Sequence, residues 1–237
     1  MLLLLAAMPL LSLAISPISK AETATLDVAA QTQLHMDVPA GFCPLRAAQS
    51  ATDKAVLAFF ERSLGHEAKL LAYFVDCKAY AALGTDSYAP HSWILVLAPL
   101  DKNGNAVTLP GATRAQVLDA VAKRASESEP SFSDISFADP EQAESDAAPD
   151  VRAQNRPLGL LDKDANAVYQ GLLTRVNSNG KSGNVAGLIN STFVAGHLIN
   201  INAYSAYDVP QAFEDLIEFS KTVAKDFVAV NEPPAHP

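Results

Sequence analysis

The spacing of apolar residues changes several times along this chain, and each change predicts an element. In residues 31–38 (QTQLHMDV), Leu34, Met36 and Val38 alternate with polar neighbours, the two-residue period of a half-buried strand. Pro39, Gly41 and Pro44 end it. From 50 to 64 the period lengthens. Val56, Phe59, Phe60 and Leu64 fall on one side of a helix, Ser50 and Asp53 stand in capping-box spacing at its start, and Gly65 supplies a stop. Residues 69–77 (KLLAYFVDC) read as a second strand. Ser92 to Ala98 (SWILVLA) is a continuous apolar run between Pro90 and Pro99, the mark of a central strand covered on both faces. Asp101 to Asn105 (DKNGN) is a turn. After Pro110-Gly111, a helix from about Ala112 to Ala125 turns Val117, Leu118, Val121 and Ala122 inward.

The stretch 156–231 organises the rest. It offers strand candidates at 158–162, 167–176, 184–194 and 197–205. NSNGKSGN, between the second and third, is hairpin chemistry, and Gly196 marks another tight reversal. Connections this short join antiparallel neighbours. A helix follows, read as opening at Asp208-Val-Pro-Gln211 with Asp208 as N-cap. Its stripe is Ala212, Phe213, Leu216, Ile217, Ser220, Val223, Ala224, Phe227 and Val228. Two octamers resemble each other, LDKNGNAV at 100–107 and LDKDANAV at 161–168. Both suit a strand–turn–strand, by shared turn chemistry or by duplication of a half. The whole reads as an α+β fold, a mainly antiparallel sheet flanked by helices.

Composition then bounds the function. A length of 237 residues with 49% hydrophobic content suits one domain or two small ones with a sizeable core, and the pattern places a single domain at 31–231. A net charge of −9 opposes binding to a nucleic-acid backbone or an anionic membrane surface. Ser126 to Asp150 holds eight acidic residues and no Lys or Arg. It reads as an exposed, partly disordered loop; the alternative, a surface for calcium or a cationic partner, lacks a fixed ligand spacing.

Met1 to Ala21 reads as a secretory signal: an apolar run, then Ser19 and Ala21 at small-residue cleavage positions, though without a basic residue near Met1. The run is too short to span a bilayer and contains Pro9. Residues 22–30 are then a leader and 232–237 a tail. The expected location is the periplasm or the medium. In an oxidising compartment Cys43 and Cys77 are expected to pair, their spacing being far from a C-x-x-C redox or zinc pattern.

Common catalytic signatures are absent. His35, His66, His91, His197 and His236 form no H-E-x-x-H or close pair. There is no G-x-S-x-G, no Walker motif and no G-x-G-x-x-G. Ser178-Asn-Gly-Lys181 matches S-x-x-K only within a hairpin turn. Asp101-x-Asn103-x-Asn105 and Asp162-x-Asp164-x-Asn166 lack the later Gly and Glu of a calcium loop. No metal, cofactor or catalytic set is assigned. The segment from His197 is the exception to blandness. Leu198, Asn200, Asn202 and Tyr204 share one strand face and His197 points to the other. His197, Asn200, Asn202 and Tyr204 are therefore the candidate ligand-binding residues, with a solvated sheet face as the competing reading.

The order strand, helix, two strands, helix, then a meander closed by a long helix resembles the PsbP-like α/β/α sandwich superfamily. VAGHLININAYSAYDVPQAFEDLIEFSKTVAKDFVAVN carries most of the likeness. The chain is also similar to uncharacterised exported bacterial proteins with the same ending. The resemblance implies an accessory or binding module of the cell envelope, recognising an envelope protein or a small ligand, and assigns no catalytic residue. Two alternatives stand beside it: a hydrolase or transferase whose site is assembled from distant residues, and a structural partner using the C-terminal helix or the acidic loop.

Overall fold

The computed structural model describes residues 22–83, 91–127, 133–136, 151–178, 181–209 and 211–232. The proposed signal, most of the acidic segment and most of the tail lie outside these residues. In chain order the elements are β1 (Thr23–Ala29), β2 (Thr32–Asp37), β3 (Phe42–Pro44), α1 (Ala51–Leu64), β4 (Ala68–Asp76), α2 (Cys77–Tyr80), β5 (Ser92–Pro99), α3 (Arg114–Glu127), β6 (Ser133–Ser136), β7 (Val151–Lys163), β8 (Val168–Ser178), β9 (Lys181–Val194), β10 (His197–Ala206) and α4 (Ala212–Asn231).

Eight strands form one sheet in the order β3-β4-β5-β10-β9-β8-β7-β6, and every neighbouring pair is antiparallel. The fold is α+β. β5 and β10, distant in sequence, lie side by side at the middle. Their cross-strand partners fix the two faces. Val96 sits opposite Ile201 and Ile94 opposite Ala203, so these side chains share one face; Leu95 opposite Asn202 and Trp93 opposite Tyr204 share the other.

The first face is closed by α4 and by the β1–β2 hairpin. Val223, Phe227 and Val228 of α4 pack with Ile94, Val96, Ile199 and Ile201, while Leu26, Val28, Leu34 and Met36 of the hairpin fill the same core. Asn231 fastens helix to hairpin. Its carboxamide oxygen accepts from the His35 amide at 2.8 Å, and its nitrogen donates to the His35 carbonyl at 2.7 Å. Over the second face lie two helices set apart from each other. α1 covers β4 and β5 through Val56, Leu57, Phe60 and Leu64. α3 covers β7 and β8 through Leu118, Val121 and Ala122, packed on Leu160 and Val168.

Several expectations are met to within a few residues, among them α1 with its Ser50 cap, the central strand β5, α3, and the meander β8–β9–β10. Four differ. Residues 22–30, expected to be a leader, contain β1, whose Leu26 and Val28 alternate inward. The acidic segment is not wholly loop: 126–127 end α3 and Ser133–Ser136 pair with β7. The short strand expected at 158–162 is a longer one, Val151–Lys163. Its register shifts at Pro157/Gly159 and Leu160/Asp162 break the two-residue period that would have betrayed it. Finally, α4 begins at Ala212, without a side-chain cap, so Asp208 is not the N-cap. A Val209 carbonyl to Ala212 amide turn comes between them.

The octamers also diverge. In the first, the carboxylate of Asp101 accepts from the amides of Asn103 and Asn105. In the second, Asp164, two places later in the alignment, accepts from Asn166 and Ala167. Shared turn chemistry accounts for the likeness better than a duplicated half.

Candidate functional site

Between α1 and α3 the second face carries a polar strip. Three rows of directly opposed residues cross it. One row runs Val168, Ser191, Asn200, Leu97; the next Gln170, Ile189, Asn202, Leu95; the third Leu172, Gly187, Tyr204, Trp93. Gln170, Leu172, Ile189, Asn200 and Tyr204 are half-buried, so solvent reaches the strip at several points. From Val168 to Thr174, Val185 to Phe193, Leu198 to Tyr204 and Trp93 to Leu97, no residue on this face carries a charge.

Each polar side chain has a distinct situation. The Ser191 hydroxyl donates to the Asn200 carboxamide oxygen at 2.9 Å, leaving the Asn200 amide nitrogen for other partners. Tyr204 stacks on Trp93 with ring centroids 5.1 Å apart. Its ring also lies over Gly187, where an added Cβ would come within 3.0 Å of it. Burial holds the Tyr204 hydroxyl above the ordinary phenol range, partly opposed by the neighbouring Asn202 amide. Asn202 is only 7% exposed, yet its carbonyl oxygen has no hydrogen-bond partner. Like the amide of Asn190 and the hydroxyl of Ser220, this oxygen is closed off from solvent, and leaving it unsatisfied is a cost to the fold.

His197 does not join this group. It is buried on the opposite face, beside the isolated bridge to Thr108. Its Nδ1 has no partner, and burial lowers its pKa, which favours the neutral ring. Among the described residues no carboxylate is hydrogen-bonded to it, so none there serves as the orienting partner of a general base. The four predicted site residues thus divide. Asn200, Asn202 and Tyr204 come together; His197 stands apart because successive strand residues alternate faces.

Searches against family models, curated proteins and solved structures return no match for this chain.

The contribution from β8 and β9 was not in the sequence-based set. Gln170, Ile189 and Ser191 complete the strip. The alternation in VYQGLL and GLINS carried their facing, but only the strand register places them beside Asn200 and Asn202. Elsewhere, two clefts of about 370 and 320 Å³ open near the start of α4. The first is lined by Gln211, Glu214, Asp215, Ile217 and Glu218. The second runs past Phe42, Ser92, Tyr204, Asp208, Asp215 and Phe219. Neither contains His197, Asn200 or Asn202. Among the described residues no group of three or more His, Cys, Asp or Glu side chains is placed to hold a metal ion, and no helix is long and apolar enough to cross a membrane.

Cys43 and Cys77 form a disulfide with Cα atoms 5.0 Å apart. It joins the edge strand β3 to the start of α2, and is compatible with an extracytoplasmic location.

Proposed function

We propose that this is an exported binding module of the cell envelope that takes its ligand on the strip between α1 and α3, without chemical turnover. The observation carrying the reading is the uncharged set of half-buried Asn200, Gln170 and Ile189 on the face between the two helices, with the Asn200 amide nitrogen left over by the Ser191 bond. Amides that solvent reaches can exchange water for a ligand's donors and acceptors. The apolar run and small-residue pattern of Met1–Ala21 and the Cys43–Cys77 disulfide support export to the periplasm or the medium. The sheet with helices on both faces agrees with the PsbP-like sandwich that the order of elements resembles.

Ligand-observed NMR against a metabolite panel tests it, comparing wild type with Gln170→Ala. The expected result is saturable binding that the variant loses, with no product formed on prolonged incubation. Conversion of a bound compound, or binding indifferent to Gln170, overturns the reading.

A further inference from the structure

Beyond the strip, we infer that the groove at the start of α4 docks an extended segment of a partner protein in which a basic side chain stands beside an apolar one. The groove, about 320 Å³, is bounded by the end of β10, the start of α4 and Phe42 of β3. Its lining is mainly apolar, with Phe42, Val209, Ala212, Leu216 and Phe219. Val209 is 52% exposed, the most open large apolar side chain among the described residues. A docked side chain would take that surface out of water. The groove is also built in advance. Phe42 stacks on Phe219 with ring centroids 5.4 Å apart, and it directly precedes Cys43, whose disulfide to Cys77 holds β3 against α2. A preformed site loses little freedom on binding.

Charge decides the occupant. Asp208 and Asp215 line the groove, and Asp215 also lines the neighbouring cleft with Glu214 and Glu218. No Lys, Arg or His lines either one. Among the described residues Asp208 and Asp215 belong to no ion pair. Lys221, the first base of α4, is taken up by Asp162 and Glu218. A neutral apolar segment would leave the two carboxylates unmatched, and an acidic one would be repelled by a chain carrying −9. A bare polyamine would match the charge and leave Val209, Leu216 and Phe219 uncovered. A Lys or Arg side chain suits both parts, its methylene stem on the apolar lining and its head at the carboxylates. The volume lies near the lower end of the roughly 300–1,000 Å³ usual for ligand clefts, which suits side chains of an extended segment and not a large cofactor.

The test is fluorescence polarisation of labelled, capped hexapeptides titrated with the purified protein. The first peptide carries two arginines beside leucine and phenylalanine. The second has glutamates for the arginines, and the third has serines for the leucine and phenylalanine. The first is expected to bind saturably, and spermidine at the same concentration should not displace it. Asp208→Asn with Asp215→Asn, and separately Val209→Ser, should each weaken binding about fivefold, the worth of two exposed ion pairs or of part of a valine's burial. All three positions are exposed, so the circular dichroism spectrum should stay that of wild type. Glu61→Gln with Glu67→Gln removes the same charge from exposed positions elsewhere and should leave binding unchanged. Equally tight binding of the second or third peptide, displacement by spermidine, an equal loss in the Glu61 and Glu67 variant, or no binding of the first peptide overturns the assignment. Metabolite binding at the strip is read separately through Gln170→Ala, so failure of one site is distinct from failure of the other.

Discussion

The hydroxyl of Tyr80 donates to Oδ2 of Asp53 at 2.8 Å, and Asp53 is 1% exposed. The same carboxylate accepts from the Ser50 hydroxyl and from the amide of Arg46. One buried charge thus ties the start of α1 to α2 and to the loop after β3. Burial works to raise its pKa, but the bonds from Ser50, Arg46 and Tyr80 outweigh that and leave it lowered. Tyr80→Phe is expected to cost about 1.5–3 kcal/mol, the loss of a hydrogen bond to a charged group. Because the folded pKa lies below the unfolded value of 3.8, this stabilisation is complete above pH 3.8 and is lost as pH falls through the folded value. Urea titrations at pH 7 and pH 3 check both. A wild-type–variant difference that grows as pH falls below 3.8 contradicts the ionised role.

His197 gives a second pH dependence, higher on the scale. Its folded pKa is pushed below the ordinary 6.5 by burial. As pH drops below 6.5 the unfolded chain takes up the proton first, so stability declines until the folded pKa is reached. His197→Leu should flatten the stability profile in that window. A variant whose profile keeps the wild-type slope shows that another group titrates there.

Asn190 and Ser220 predict a gain. Both are essentially closed off, Asn190 on β9 and Ser220 on α4, and neither amide atom nor the hydroxyl has a partner. Ser220 lies between Leu216, which packs on Leu188 and Ala203, and Ala224, which packs on Tyr169. That places it above Asn190, the strand neighbour of Tyr169 and Ile201. Asn190→Leu is expected to stabilise by about 1–2 kcal/mol, removing a desolvation cost without leaving a void. Phe227→Ala, in the same interface but wholly apolar, should cost about 3–5 kcal/mol. A stabilised Phe227→Ala or a strongly destabilised Asn190→Leu in thermal melts would falsify this account of the seam.

The disulfide supplies the last. The two cysteines lie 34 residues apart in sequence, and closing that loop is worth about 2–4 kcal/mol in the chain-entropy description. Denaturation with and without reductant measures the difference. Thiol titration of the unreduced, unfolded protein should find no reactive cysteine.

The sequence by itself determined most elements, the antiparallel meander and the inward stripe of α4, because periods of two and of 3.6 are local and survive in a linear reading. It also set Leu198, Asn200, Asn202 and Tyr204 on one face. Only the tertiary structure decided what that face meets. Pairing of β10 with β5 on one side and β9 on the other brings Trp93 beside Tyr204, Ser191 beside Asn200 and Ile189 beside Asn202, with Gln170 one strand further. The register of β5 on β10, strands more than a hundred residues apart, leaves no local periodic trace, and those of the nearer pairs depend on turn geometry that the two-residue period does not specify. Nor does the spread of α1 and α3, which leaves the strip between them open. The strand at 22–30 escaped for the converse reason: its period is local, but its burial depends on α4, some two hundred residues away.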